Sequence, residues 1–182
     1  RAAVEWAIAW ERNELVAEFV AVFREVWSSE GDTAEMTRWS EHALLARDVV
    51  AAELWPQVLL CAERMQLIRG DRARARLLIE EALEALQELD PQPTIEALCL
   101  SELSWISCED GDYERARRLG ERSLELRTEH GLLRSRALLD LGHVAVLMGE
   151  LEQAHRVLEE ARVSSLDQER AGNAAYAARM LA

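Results

Sequence analysis

Residues able to do chemistry are plentiful in this chain of 182 residues, but few stand where chemistry needs them. Its four histidines, His42, His130, His143 and His155, are scattered, with no His-Glu-x-x-His and no Cys/His pair at metal-ligand spacing. Paired carboxylates such as Glu80-Glu81 and Glu159-Glu160 could in principle work as acid and base. Consecutive helical residues do not face each other, however, so each pair reads as solvated surface. A phosphate-cradling Gly-x-x-x-x-Gly-Lys loop is absent, and all 21 basic residues are arginine, which codon bias in a GC-rich genome explains without any function. No serine or cysteine sits in a recognisable nucleophile context. The expectation is a non-enzyme that needs no metal and no cofactor.

Charge and cysteine content narrow the class further. A net charge of −13 sets this segment against phosphate backbones, so direct nucleic-acid contact is not expected. Three cysteines, Cys61, Cys99 and Cys108, lie in apolar stretches without framework spacing, which points to reduced thiols and a cytoplasmic protein. No apolar run reaches the ~18–20 residues of a membrane span, and no signal peptide is visible. The first residue is Arg1 rather than Met, and "NAAYAARMLA" stops in mid-helix, so the segment is expected to come from a larger protein.

The elements that must position these residues are helices. Apolar residues make up 49%, dominated by Ala and Leu, with 8 Gly and 3 Pro and no alternating strand pattern. Gly31-Asp32, Gly70-Asp71, Gly111-Asp112 and Gly149-Glu150 each end one helical run and start another, at spacings of 39, 41 and 38 residues. Small or apolar residues follow each glycine at +5 (Met36, Ala75, Ala116, Ala154) and at +12 (Ala43, Ala82, Ser123, Ala161). Glycine can end a helix in the left-handed conformation, and the acid beside it caps the next. Small residues seven apart share one face, where they let two helices approach closely. The pattern is a repeated helix hairpin, and the Arg115, Arg117, Arg118 and Arg122 series reads as its solvated face.

Glycine, acid, aromatic, then Ala at +5 and +12 resembles the tetratricopeptide repeat. The fourth copy carries the resemblance best, through Leu138, Leu141, Gly142, Gly149, Ala154 and Ala161. In the third, Leu100, Leu103, Gly111, Tyr113 and Ala116 fit, while Ser104 and Gly120 depart from the pattern. The period exceeds the usual ~34 residues, which implies longer loops at 89–94, 127–132 and 166–173. Pro56 reads as the first turn of a helix. The fold implied is all-α, an α-α superhelix forming a single domain over 1–182. Repeats fall at about 13–48, 54–88, 95–128 and 133–165, with a leading helix at 1–11 and the first helix of a truncated repeat at 173–182.

The same resemblance implies a ligand groove lined by first helices. The position six before each glycine gives Glu25, Arg64, Trp105 and His143, with Leu60, Ser101 and Leu139 beside them. Trp105 would anchor a peptide or small effector and Arg64 would fork a carboxylate. Packing of Trp105 between helices, and plain solvation of Glu25 and Arg64, are the competing readings. Five of the six tryptophans lie in the first 55 residues. Trp6 and Trp10, on a helix apolar nearly all round, are expected to be buried on several sides and to mark a seam with a preceding domain, or else to be covered by this chain alone. An exposed apolar face on the last helix would favour a homodimer. The region is also similar to the helical C-terminal part of bacterial multidomain regulators, the STAND, NB-ARC-like and LuxR-type proteins. That similarity implies a protein- or effector-binding module in signalling or transcription regulation. The alternative is a free-standing scaffold for complex assembly.

Overall fold

The computed structural model describes residues 1–30, 33–167 and 171–181, with side chains described throughout these except at 23–30, 166–167 and 171–172. Gly31-Asp32 and the side chains of Glu25 and Trp27 therefore lie outside the described residues. Among the described residues there are ten α-helices, two 3-10 turns (Leu44–Ala46 and Ala52–Leu54) and no strand. None of the helices is long and apolar enough to cross a membrane. Contacts group the chain into two compact units, Arg1–Gln92 and Pro93–Ala182.

The first unit contains α1 (Ala2–Ala9), α2 (Asn13–Glu30), α3 (Thr33–Ala43), α4 (Trp55–Ile68) and α5 (Arg72–Gln87). Pro56 stands in the first turn of α4, where its missing N–H leaves no helical bond unmade. Trp39 is fully buried, packs edge-on to Phe19 at 5.8 Å between ring centroids, and donates from Nε1 to Glu5 Oε1 at 2.9 Å. Arg38 also pairs with Glu5, so α1 is held onto α3 by one carboxylate.

The leading helix departs from expectation. Only Val4 and Ala7 of α1 are buried, whereas Trp6 and Trp10 are 51% and 68% exposed. A helix apolar all round needs cover on several sides, and this chain supplies it on one. Burial of the tryptophan pair by the chain itself is thereby overturned.

The second unit contains α6 (Pro93–Glu109), α7 (Tyr113–Glu129), α8 (Ser135–Leu147), α9 (Leu151–Asp167) and α10 (Ala171–Leu181). The expected excess loop length lies partly in the helices themselves: α6, α7 and α9 each run to 17 residues, and the connection at 130–134 is short; residues 168–170 of the expected third loop lie outside the described residues. Its core gathers Leu138, Leu139, Leu158, Ala161 and Ala177, with Leu124, Tyr176, Met180 and Leu181 packed against them. The apolar residues of α10 are thus turned onto α8 and α9.

The glycine-acid pairs show why the chain turns where it does. Gly111 has φ +82°, Asp112 N–H donates to Ser107 O at 2.9 Å, and Gly111 N–H donates to Cys108 O at 3.0 Å. These two bonds close a Schellman stop on α6 and satisfy carbonyls that the helix end leaves open. Asp112 then accepts from Arg115 N–H at 3.1 Å and caps α7. Gly70-Asp71 repeats both devices between α4 and α5, and Gly149-Glu150 repeats the stop between α8 and α9.

The +5 and +12 residues, Met36, Ala43, Ala75, Ala82, Ala116, Ser123, Ala154 and Ala161, are all buried. The two departures of the third copy belong together. Ser104 donates its hydroxyl to Ala116 O at 2.7 Å, and a Cβ on Gly120 would lie 3.3 Å from that hydroxyl and 2.9 Å from Leu141 Cδ2. The larger residue on α6 is matched by the smaller one on α7. Arg117, expected to be solvated, instead reaches across to Glu150 Oε2 at 2.6 Å and Met148 Sδ at 2.8 Å. Its long side chain spans the gap from α7 to the α8–α9 turn.

Candidate functional site

Three helices of the second unit bring their polar residues to one place. On α8, Arg136, Asp140 and His143 follow at i, i+4 and i+7 and so share a face, with Leu139 beside them. Trp105 comes from α6, and Asn173 and Tyr176 come from α10 at i and i+3. These seven residues line a cavity of about 410 Å³, within the range of small-ligand pockets.

A cluster of buried and half-buried charge adjoins the cavity. Arg136 donates from Nε to both oxygens of Asp140 at 3.1 Å each, and its Nη2 stands 3.6 Å from Glu102 Oε2 on α6. The side chain of Glu102 is 3% exposed, that of Asp140 10%, and that of Arg136 36%. Arg127 of α7 enters from behind, donating to Leu133 O at 2.9 Å and to Ser123 Oγ at 3.2 Å. Ser123 gives its own proton to Ala97 O at 2.7 Å, so in the 3.0 Å contact with Ser101 the donor is Ser101.

Burial dominates the acid–base character of this cluster. It pushes the Asp140 carboxyl up to about 6; the Arg136 guanidinium opposes that and Glu102 reinforces it. Burial also lowers Arg127 from the usual guanidinium range. Cys108 on α6 is raised, first by burial and then by the negative charges of Glu109 and Asp140.

The groove residues expected from sequence divide accordingly. Trp105, Leu139 and His143 meet in the cavity. Ser101 does not reach it, being fully buried in the hydrogen-bonded layer between α6 and α7. In the first unit Leu60 is buried in the core of α4 and Arg64 is half-buried on the same helix. Glu25 lies outside the described residues. Sequence reasoning missed Arg136, Asp140, Asn173 and Tyr176, together with the adjoining Glu102 and Arg127. The i, i+4, i+7 row on α8 was a signal that could have found the first two.

The lining combines aromatic and aliphatic walls, an imidazole, an amide, and a guanidinium and carboxylate held against each other.

Comparison with known proteins bears on the fold. The tetratricopeptide repeat family matches residues 106–162, from the end of α6 to the body of α9. No curated protein is significantly similar in sequence. Among solved structures, BtubC (BKLC) from P. vanneervenii superposes with a TM-score of 0.71 at 15% identity, covering 99% of this chain and 86% of its own. A Podosopora anserina chain of nearly identical TPR-like repeats gives 0.66 at 15% identity, covering 94% and 84%. MamA gives 0.55 at 18%, covering 91% and 87%. At these identities the likeness is one of fold, all-α and of the superhelical-repeat class. Residues 106–162 are thus similar to the tetratricopeptide repeat, within a chain of tandem helix hairpins.

Proposed function

We propose that this chain is a protein-interaction module whose binding surface is the cavity between α6, α8 and α10. The observation that carries the reading is the convergence of Trp105, Leu139 and His143 with Arg136, Asp140, Asn173 and Tyr176 on one concavity. A half-buried tryptophan beside fixed charges has the character of an interface anchor. The tetratricopeptide match over 106–162 and the fold support binding rather than catalysis. The occupant is a peptide segment or a small effector, and the setting we favour is a cytoplasmic bacterial multidomain regulator. A scaffold role in complex assembly uses the same surface and is equally consistent with the fold. The exposed Trp6–Trp10 pair, 6.4 Å between ring centroids, is a second surface suited to a neighbouring domain.

The test is a peptide-array screen against the purified chain, followed by affinity measurement of the peptides selected. Trp105→Ala is expected to weaken binding by at least about tenfold, the scale of an interface hot spot, with far-UV ellipticity unchanged. Unaltered affinity in Trp105→Ala and in His143→Ala would remove the cavity from consideration.

A further inference from the structure

The cavity has a feature that a plain recognition pocket does not need: the half-buried guanidinium that lines it is engaged by a carboxylate on the same wall. Arg136 Nε donates to both oxygens of Asp140 at 3.1 Å, while its far end faces Glu102 at 3.6 Å. We propose that Asp140 sets the charge selectivity of the pocket: as a carboxylate it offsets the Arg136 charge and turns anionic groups away, and as a neutral acid it leaves the wall net positive and open to them. This inference deepens the reading of the cavity as the binding surface and rests on it.

The groups around Asp140 come from several helices: Arg136 and His143 from its own, Glu102 and the Cys108 thiol from α6, Arg127 from α7, and Asn173 and Tyr176 from α10. With Asp140 ionised, the two acids Glu102 and Asp140 balance Arg136 and Arg127. Neutralising Asp140 leaves the wall with an excess positive charge in a half-enclosed space, where Coulomb interactions are stronger than in open water. Burial holds the Asp140 carboxyl at about 6, so this change falls in a range that mild acidification reaches.

Iodide is a suitable probe, being a small anion that quenches tryptophan emission, and Trp105 lines the same cavity. Neutral acrylamide serves as the control. The full chain is used, and the Trp105 contribution is isolated by subtracting Trp105→Phe under the same conditions. At pH 7.5, Asp140→Asn is expected to raise iodide quenching of Trp105 on the order of twofold, the effect of one added charge at partly screened range. Acrylamide quenching stays level, and adding Arg136→Gln cancels the rise. The pH arm is run in His143→Gln, so that Asp140 is the group under test on this helix face. There iodide quenching should increase as pH falls through about 6, and the increase should vanish when Asp140→Asn is added. Equal iodide quenching of Trp105 with and without Asp140→Asn at pH 7.5 overturns the proposal. If that substitution also changes acrylamide quenching, the pH arm decides, and a flat iodide response in His143→Gln overturns it instead. No partner is involved, so a negative result here is separate from failure of the peptide assay.

Discussion

Asp140 keeps an ionised carboxylate at neutral pH in a place that disfavours it. Its carboxyl titrates at about 6 against an ordinary 3.8, so the folded state binds this proton more tightly than the unfolded chain. The stability gained is fully present below about pH 3.8 and is lost as pH rises through about 6. A shift of roughly two units corresponds to about 3 kcal/mol at most. Asp140→Asn, which mimics the neutral acid, should therefore unfold at higher urea than the parent at pH 7.5, by about 1–3 kcal/mol. The advantage should shrink toward pH 4.5. Equal midpoints at pH 7.5 would mean that Arg136 compensates the buried charge completely. Glu5 and Glu159 act in the opposite sense: Trp39 and Arg38 hydrogen bonds lower the first, and Arg162 lowers the second, so their contributions fade as pH falls. These shifts were not legible in the sequence, because only the packing of α6, α7 and α8 brings Glu102, Arg127, Arg136 and Asp140 together. Trp105, Leu139 and His143 could be named in advance because the repeat glycines fix their register. Ser101 was misplaced by a neighbouring position, where the hairpin interior rather than the cavity lies.

At the scale of the element, glycines do two different jobs. Around Gly111 nothing would touch an added Cβ, but its φ of +82° strains any ordinary side chain. Gly142 has ordinary helical geometry, and a Cβ there would run into Cδ2 and Cγ of the buried Leu158. Gly111→Asn should consequently be milder than Gly111→Val, since asparagine tolerates the left-handed region and valine does not. Thermal melts would rank them, and the reverse order would show that this turn is not held in the Schellman form. Gly142→Ala is expected to cost about 1–3 kcal/mol by overpacking, read as a lower urea midpoint. An unchanged midpoint would mean that Leu158 moves aside freely. Asp112→Ala should cost about 1 kcal/mol through loss of the α7 cap. These turns were readable from sequence because stop and cap are encoded within a few residues of each other. The reach of Arg117 to Glu150 and Met148 was not, since it depends on how one hairpin lies against the next. The cover on α1 was overestimated for a related reason: composition states what a helix could bury, and only neighbours determine what it does bury.

For the whole molecule, the grouping into residues 1–92 and 93–182 has an experimental meaning. The second unit has its own apolar core, centred on Leu138, Leu158 and Ala177, and in repeat proteins stability is built mainly from neighbour contacts. A fragment of residues 93–182 should therefore fold alone, with strong helical ellipticity and a cooperative thermal transition. A broad, sloping melt would show that it depends on the first unit for its core. The six tryptophans are divided unequally between the units: Trp6, Trp10, Trp27, Trp39 and Trp55 in the first, and Trp105 by itself in the second. Emission is thus weighted toward one end of the chain, while ellipticity samples helices throughout. Recorded together during denaturation, the two signals would overlay if the units unfold as one and separate if they do not, so the chain carries its own spectroscopic measure of how far cooperativity extends along it.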